Sequence, residues 1–391
     1  MASINKCVTT ALIIAGSFIG QSHSQQQETQ EITMTFEEYV VKYEKIYPSF
    51  ADKHTHQEMY VQNVQNINKH NLQTHLSYTK GINHFTDRTP KELNEMKGLD
   101  RNLHRQQMNQ RAPQLSASLT LADIQDLDLP ERVDWREKNV ITPVKNQGQC
   151  GSCWTFASAE TIESHWAIKT GRLQDLSEQF ILDCTPNTNQ CGGSGGCGGG
   201  TAELAYARLK TLGGIPSEWE YPYLSVLGKA SKCHGLPLTN EQPHSGAVAS
   251  AANVTGFHAT ETNSYASLIS NLALQGPMAV SVDAGAWHDY SGGIFDGGNH
   301  TNPDLDHLVQ LVGYGTDNGN DYWLIRNSWT PNWGENGYIR LKRVDPSKIK
   351  GGASCGLDIT PLDGNGCKDG PPTVKVCGQS GILYDGVYPF V

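Results

Sequence analysis

The chain holds no cysteine between Cys7 and Cys150, and no apolar run in it is long enough to cross a bilayer. The first absence excludes a disulfide framework for the N-terminal third. The second means that no membrane span is expected. Positive charge is short as well: Lys+Arg 30 against Asp+Glu 40 leave a net charge of -10. A chain poor in cations offers little to a phosphate backbone or an anionic membrane, so neither nucleic acid nor membrane is expected as a main partner. Charged residues are 18% of the total and hydrophobic ones 37%, which excludes a disordered chain and suits a soluble globular one.

What is there begins with a start that is not structure. Lys6 precedes the apolar run Cys7 to Gly20, and the small residues Gly20, Ser22 and Ser24 follow, so residues 1–24 read as a secretory signal peptide. This predicts passage through the secretory pathway, to a lysosome or the extracellular space. Secretion makes the sequons at Asn253 and Asn299 usable for glycosylation. Cys7 leaves with the signal, and Cys150, Cys153, Cys184, Cys191, Cys197, Cys233, Cys355, Cys367 and Cys377 remain. In an oxidising compartment they should mostly pair, and the odd number leaves one thiol free.

The rest of the chain is organised around Gln147-Gly-Gln-Cys150-Gly-Ser-Cys153-Trp154. Ala157, Thr161, Ile162, His165 and Ile168 recur at helical spacing, which predicts a helix over Trp154 to Lys169 with Gly171 as its stop. Cys153 then sits on the first turn, where the helix N-terminus stabilises a thiolate. Gln147, just upstream, can aim its amide at the same point. A bare C-x-x-C would also suit a thiol–disulfide oxidoreductase pair made of Cys150 and Cys153, or half a zinc site.

The longer block Pro143 to Trp154, P-V-K-N-Q-G-Q-C-G-S-C-W, resembles the active-site segment of the papain-like cysteine peptidases. Leu305-Asp306-His307-Leu308-Val309 resembles that family's histidine strand, and Tyr322 to Trp329, with Asn327-Ser328-Trp329, its asparagine strand. Thr330 stands where the family usually has Gly. The resemblance implies an α+β, papain-like two-domain fold, with a helical left domain, a β-barrel-like right domain and the active-site cleft between them. It implies a cysteine endopeptidase working through a thioester acyl-enzyme. Cys153 is then the nucleophile, His307 its proton carrier and Asn327 the group that orients the ring. Gln147 and the Cys153 amide N–H form the oxyanion hole. No cofactor or metal is called for. The partners expected are peptide or protein substrates and the chain's own pro-segment, on a monomer.

The spacing Asp52-His56-Tyr60-Asn63-Ile67-Asn71 resembles the family's E-R-F-N-I-N pro-segment motif with its first three positions changed, and Gly81-Ile-Asn83-His-Phe85-Thr-Asp87 keeps the G-x-N-x-F-x-D motif. Residues 25–125 are therefore expected to be an inhibitory, cathepsin L-type propeptide, with helices over Thr35 to Tyr47 and Asp52 to Leu76. Arg101 to Ser118 reads as an exposed linker open to processing. The peptidase domain follows from 126 to 391. Its later part alternates as strands over Met278 to Val282, His307 to Val312, Tyr322 to Arg326 and Tyr338 to Lys342.

By resemblance, Cys150 pairs with Cys197 and Cys184 with Cys233, while Cys191, Cys355, Cys367 and Cys377 stay unassigned. Substrate would lie along Gly199 and Gly200, against Asp306 and Trp329. The pocket for the second residue before the scissile bond would be walled by Ala202, Ser281, Leu305, Leu308 and Thr360. No acidic side chain falls in that set, so an apolar residue is expected there. An exopeptidase of the same family would need a loop blocking the cleft, and the glycine-rich insertion at Cys191 carries no His or bulk for that. The extra stretch around Cys367 and Cys377 delays the family's closing Tyr388-Pro389 and has no reading from sequence.

Overall fold

The computed structural model describes residues 31–73, 75–97, 129–235, 248–344 and 354–391. The signal peptide and the linker expected at 101–118 lie outside the described residues.

The pro-segment starts with α1 (Phe36–Lys42), whose Thr35 and Glu38 form a reciprocal cap. α2 (Phe50–Asn71), β1 (Tyr78–Lys80) and α3 (Pro90–Glu95) follow. Both long helices end earlier than their periodicity suggests. After α1, Glu44 turns to a φ of 50°, which brings Lys45 back to Asp87 at 2.6 Å. α2 stops at Asn71 because its amide accepts from Lys80 N at 2.9 Å and donates to Lys80 O at 2.8 Å. Phe36, Tyr39 and Tyr60 form a small aromatic core between the helices.

The helical half carries β2 (Val133–Asp134), α4 (Cys153–Thr170), α5 (Glu178–Cys184) and α6 (Ala202–Leu212). α4 is buried on every side from Cys153 to His165, more deeply than a one-faced pattern suggests. Its acidic side chains are matched accordingly: Glu160 meets Arg326 at 3.2 Å and Glu163 meets Lys145 at 2.7 Å.

The sheet half holds β3 (Gly256–Ala259), α7 (Tyr265–Leu274), β4 (Met278–Val282), β5 (Tyr290–Phe295), β6 (His307–Asp317), β7 (Asn320–Arg326) and β8 (Tyr338–Lys342). A hairpin, β9 (Cys355–Asp358) and β10 (Val374–Cys377), precedes the last strand, β11 (Val387–Phe390). The main sheet runs β1-β5-β8-β7-β6-β4-β11-β3, with β2 beside β6. β6 extends to Asp317 because Asn318 (φ 49°) and Gly319 (φ 77°) close a tight hairpin onto β7. The strand β1 belongs to the pro-segment, and it pairs antiparallel with β5 through Tyr78 and Gly293. One large hydrophobic cluster fills the sheet half and another, around Trp154 and Phe180, the helical half.

Candidate active site

Cys153 is the first residue of α4 and the one free cysteine among the described residues; Cys150 is bonded to Cys197. The redox reading of Cys150 and Cys153 therefore fails, because one of the two sulfurs is already spent. Cys184–Cys233, Cys191–Cys367 and Cys355–Cys377 complete the bridges. The backbone N–H groups of Leu308, Trp154 and Cys153 itself favour the thiolate form of Cys153. Leu308 follows His307 at the start of β6, so the helix tip and this strand meet at the thiol.

His307 is buried, and its Nε2 lies 2.8 Å from Asn327 Oδ1, just beyond the end of β7. That contact fixes the ring and leaves Nδ1, which has no hydrogen-bond partner, as the nitrogen available to exchange a proton. Trp329 lies over the imidazole with ring centroids 4.8 Å apart and shields the His307–Asn327 bond from water. Burial pushes the Cys153 thiol up to about 11, against the pull of the three amides. Burial also pushes His307 down to about 4, although Asn327 and Asp306 favour its charged form. Lys97 of the pro-segment pushes His307 the same way as burial. With the pro-segment in place, burial favours the neutral form of both groups.

Gln147 is held by Ser328, which donates to its Oε1 at 2.7 Å. Its Nε2 donates to Met96 O at 2.9 Å and to Cys150 O at 3.0 Å. A pro-segment carbonyl thus occupies the donor that sequence assigns to the oxyanion. The next residue, Lys97, reaches Asp306 at 2.8 Å, and both side chains are only 4% exposed. Phe85 stands edge-on to Trp329 at 5.3 Å, and Asn83 donates to His288 O at 2.6 Å. Asp87 gathers Tyr39 at 2.8 Å, Lys45 at 2.6 Å and Tyr47 at 2.9 Å, which braces the segment that carries Phe85. Met96 and Lys97 were not expected from sequence; the Thr89–Glu92 capping box, which starts the short helix α3 that ends at Glu95 just before them, is the local signal that places them.

Ala202 is the first residue of α6, Ser281 pairs with Leu308 across β4 and β6, and all three are buried together with Leu305. Gly200 lies against Trp154, where a Cβ would come within 2.8 Å of the indole. Gly199 keeps a φ of 94°. Thr360 does not belong to this group: it is exposed, and its amide donates to Asp358 at 2.8 Å. The carboxyl group of Asp385 lies against Ser281 instead, accepting from Ser281 N at 2.9 Å, from Ser281 Oγ at 3.0 Å and from Asn365 Nδ2 at 2.7 Å. Burial, with Glu203 nearby, pushes its carboxyl up to about 7. Counting back from Tyr388-Pro389 rather than forward from Cys355 reaches this residue. Thr330 takes a φ of 72°, a left-handed conformation that explains why glycine suits the position. Asn253 and Asn299 are both exposed.

A family model described as papain family cysteine protease matches residues 129–361, and one described as cathepsin propeptide inhibitor domain (I29) matches 36–93. Fruit bromelain of Ananas comosus is 33% identical over 366 residues, covering 93% of this chain and 95% of its own length. Cathepsin L2 of Homo sapiens is 33% identical over 343 residues, covering 85% and 94%. The solved structure of digestive procathepsin L2 proteinase from the Tenebrio molitor larval midgut superposes with a TM-score of 0.68 at 29% identity, covering 91% of this chain and 98% of that one.

Proposed function

The chain belongs to the papain family of cysteine proteases and is made as a zymogen with its own inhibitory domain, and from that premise we propose the roles of its residues. Cys153 attacks the scissile carbonyl as a thiolate and forms a thioester. His307 carries the proton from the sulfur to the leaving amine through Nδ1, and then activates water for deacylation. Asn327 orients the ring. Gln147 Nε2 and the Cys153 amide hold the oxygen of the tetrahedral intermediate. The observation that carries this reading is one unpaired thiol at the tip of a buried helix, with the amide of Leu308 acting on it and the preceding residue, His307, already fixed by an asparagine. Asn253 and Asn299 carry glycans, and the four disulfides suit an oxidising, secretory route.

The pocket for the second residue takes apolar side chains at acid pH. Ala202, Leu305 and Leu308 give it apolar walls, and Asp385 beneath Ser281 is uncharged below about 7. The test is acid maturation of the protein, then turnover of peptide amides. Cys153→Ala should abolish it, and Gln147→Ala should lower kcat by roughly 10²–10³. Full turnover without Cys153 would end the reading.

A further inference from the structure

The glycine strip Gly198–Gly200 offers backbone groups along which an extended peptide could lie. In this protein the strip is already covered by the chain itself. Ser194 N donates to Gly198 O at 2.9 Å, and Gly195 N donates to Gly199 O at 2.8 Å. Gly192 packs so closely that a Cβ there would lie 2.6 Å from Gly200 O. The insertion at Cys191 has therefore folded back onto the edge it interrupts.

The stretch between β9 and β10 reaches this point from the other half of the molecule. Gly364 lies against the second-residue pocket: a Cβ on it would come 2.8 Å from Asp304 Oδ1, and it also crowds the Leu305 carbonyl. Asn365 reaches Asp385 under Ser281. Gly366 O accepts from Gly192 N at 2.9 Å, Lys368 N donates to Asn189 O at 3.0 Å, and Cys367 is bonded to Cys191. One covalently pinned segment thus runs from Leu305 on the sheet side to the glycine strip on the helical side.

We infer that residues 359–373 are a strap that ends the substrate cleft just past the pocket for the second residue. The enzyme then favours peptides with two residues before the scissile bond and releases dipeptides from free amino termini. Glycine supplies no bulk at Cys191, but the strap tied to it does. The closed end is also acidic. Asp304 Oδ1 is buried beneath Gly364 with no hydrogen-bond partner, and burial beside Asp306, Asp358, Asp283 and Asp363 disfavours its charge. A terminal ammonium brought beside Asp304 would favour the charged form of that carboxyl. The inference rests on Cys153 and His307 being the reacting pair, as proposed above.

The test uses the acid-matured protein and one fluorogenic dipeptidyl amide with a free amino terminus. The same unit is then extended by one and by two residues. In wild type, kcat/KM should fall by about tenfold or more at the first added residue. In a variant whose residues 359–373 are replaced by a two-residue Asn-Gly turn, the fall should shrink to about twofold or less. The register supports that graft, because Asp358 and Val374 already face each other across the hairpin. A second measurement needs no variant: digestion of a long unstructured peptide should give a ladder of two-residue steps from its amino terminus. Longer amides cut as well as the dipeptidyl one, internal fragments without a ladder, or a length penalty that survives loss of the strap would each overturn the inference. No turnover at any length would instead defeat the catalytic reading on which it rests.

Discussion

Burial drives Cys153 and His307 in opposite directions, the thiol up to about 11 and the imidazole down to about 4. Each shift favours the neutral form, so the zymogen is switched off chemically as well as covered. Release of the pro-segment removes Lys97 and readmits water, after which the helix N-terminus and the imidazolium can hold a thiolate. Alkylation by iodoacetamide should separate the two states. The mature protein should react readily at pH 6, while in the zymogen the rate should climb only on the alkaline side of pH 9 or so. Equal rates at pH 6 would refute the account. At Asp385 the sign is also fixed. Its carboxyl, raised to about 7, is neutral at lower pH and anionic above. Between pH 5 and 8 the preference for Arg over Leu at the second position should rise by about tenfold, and Asp385→Asn should flatten that profile. A wild-type ratio that does not move with pH would show that this carboxylate does not face substrate.

The pro-segment helices and the loop they brace answer to acid through particular histidines. His54 and His75 are exposed. His56 lies 3.6 Å from both Asp87 and Glu92, inside the cluster that braces the Phe85 loop. His84 behaves differently, since burial, with Lys45 and Arg88 close by, pushes it down to about 4. A histidine whose folded value lies below its unfolded one stabilises the fold above the unfolded value, and that stability drains away as pH falls from about 6.5. At pH 5 the loss is about 2 kcal/mol, enough to loosen a segment fixed by a handful of contacts. Only part of the pro-region histidines can therefore serve as a trigger. His84→Gln should move the midpoint of self-processing to lower pH by half a unit or more, whereas His54→Gln should leave it in place. A midpoint unchanged by His84→Gln would remove the trigger from this loop.

At the scale of the molecule, what sequence revealed was what repeats locally. α4, β4 and β8 follow from spacing within one element, and Cys153, His307 and Asn327 sit in long matched segments. The strap stayed hidden because its meaning depends on a bridge between residues 176 positions apart, which no periodicity registers. β1 stayed hidden for a related reason. It is three residues long, and what makes it a strand is its partner β5, more than two hundred positions away. That pairing gives the zymogen a consequence of its own. Ser77 O accepts from Ile294 N at 2.8 Å, and Gly81 N donates to Asp289 O at 2.8 Å, so the pro-segment closes the edge that β5 would otherwise present to solvent. Processing takes this strand away, along with Phe85 on Trp329 and Lys97 on Asp306. Hydrogen exchange should register the loss at β5: amides of residues 290–296 should exchange faster in the mature protein than in the zymogen, while those of β6 and β7, paired on both sides, should keep their protection. Unchanged exchange at β5 would mean that the pro-strand adds nothing to the sheet and that inhibition rests on the cleft contacts of Phe85, Met96 and Lys97 alone.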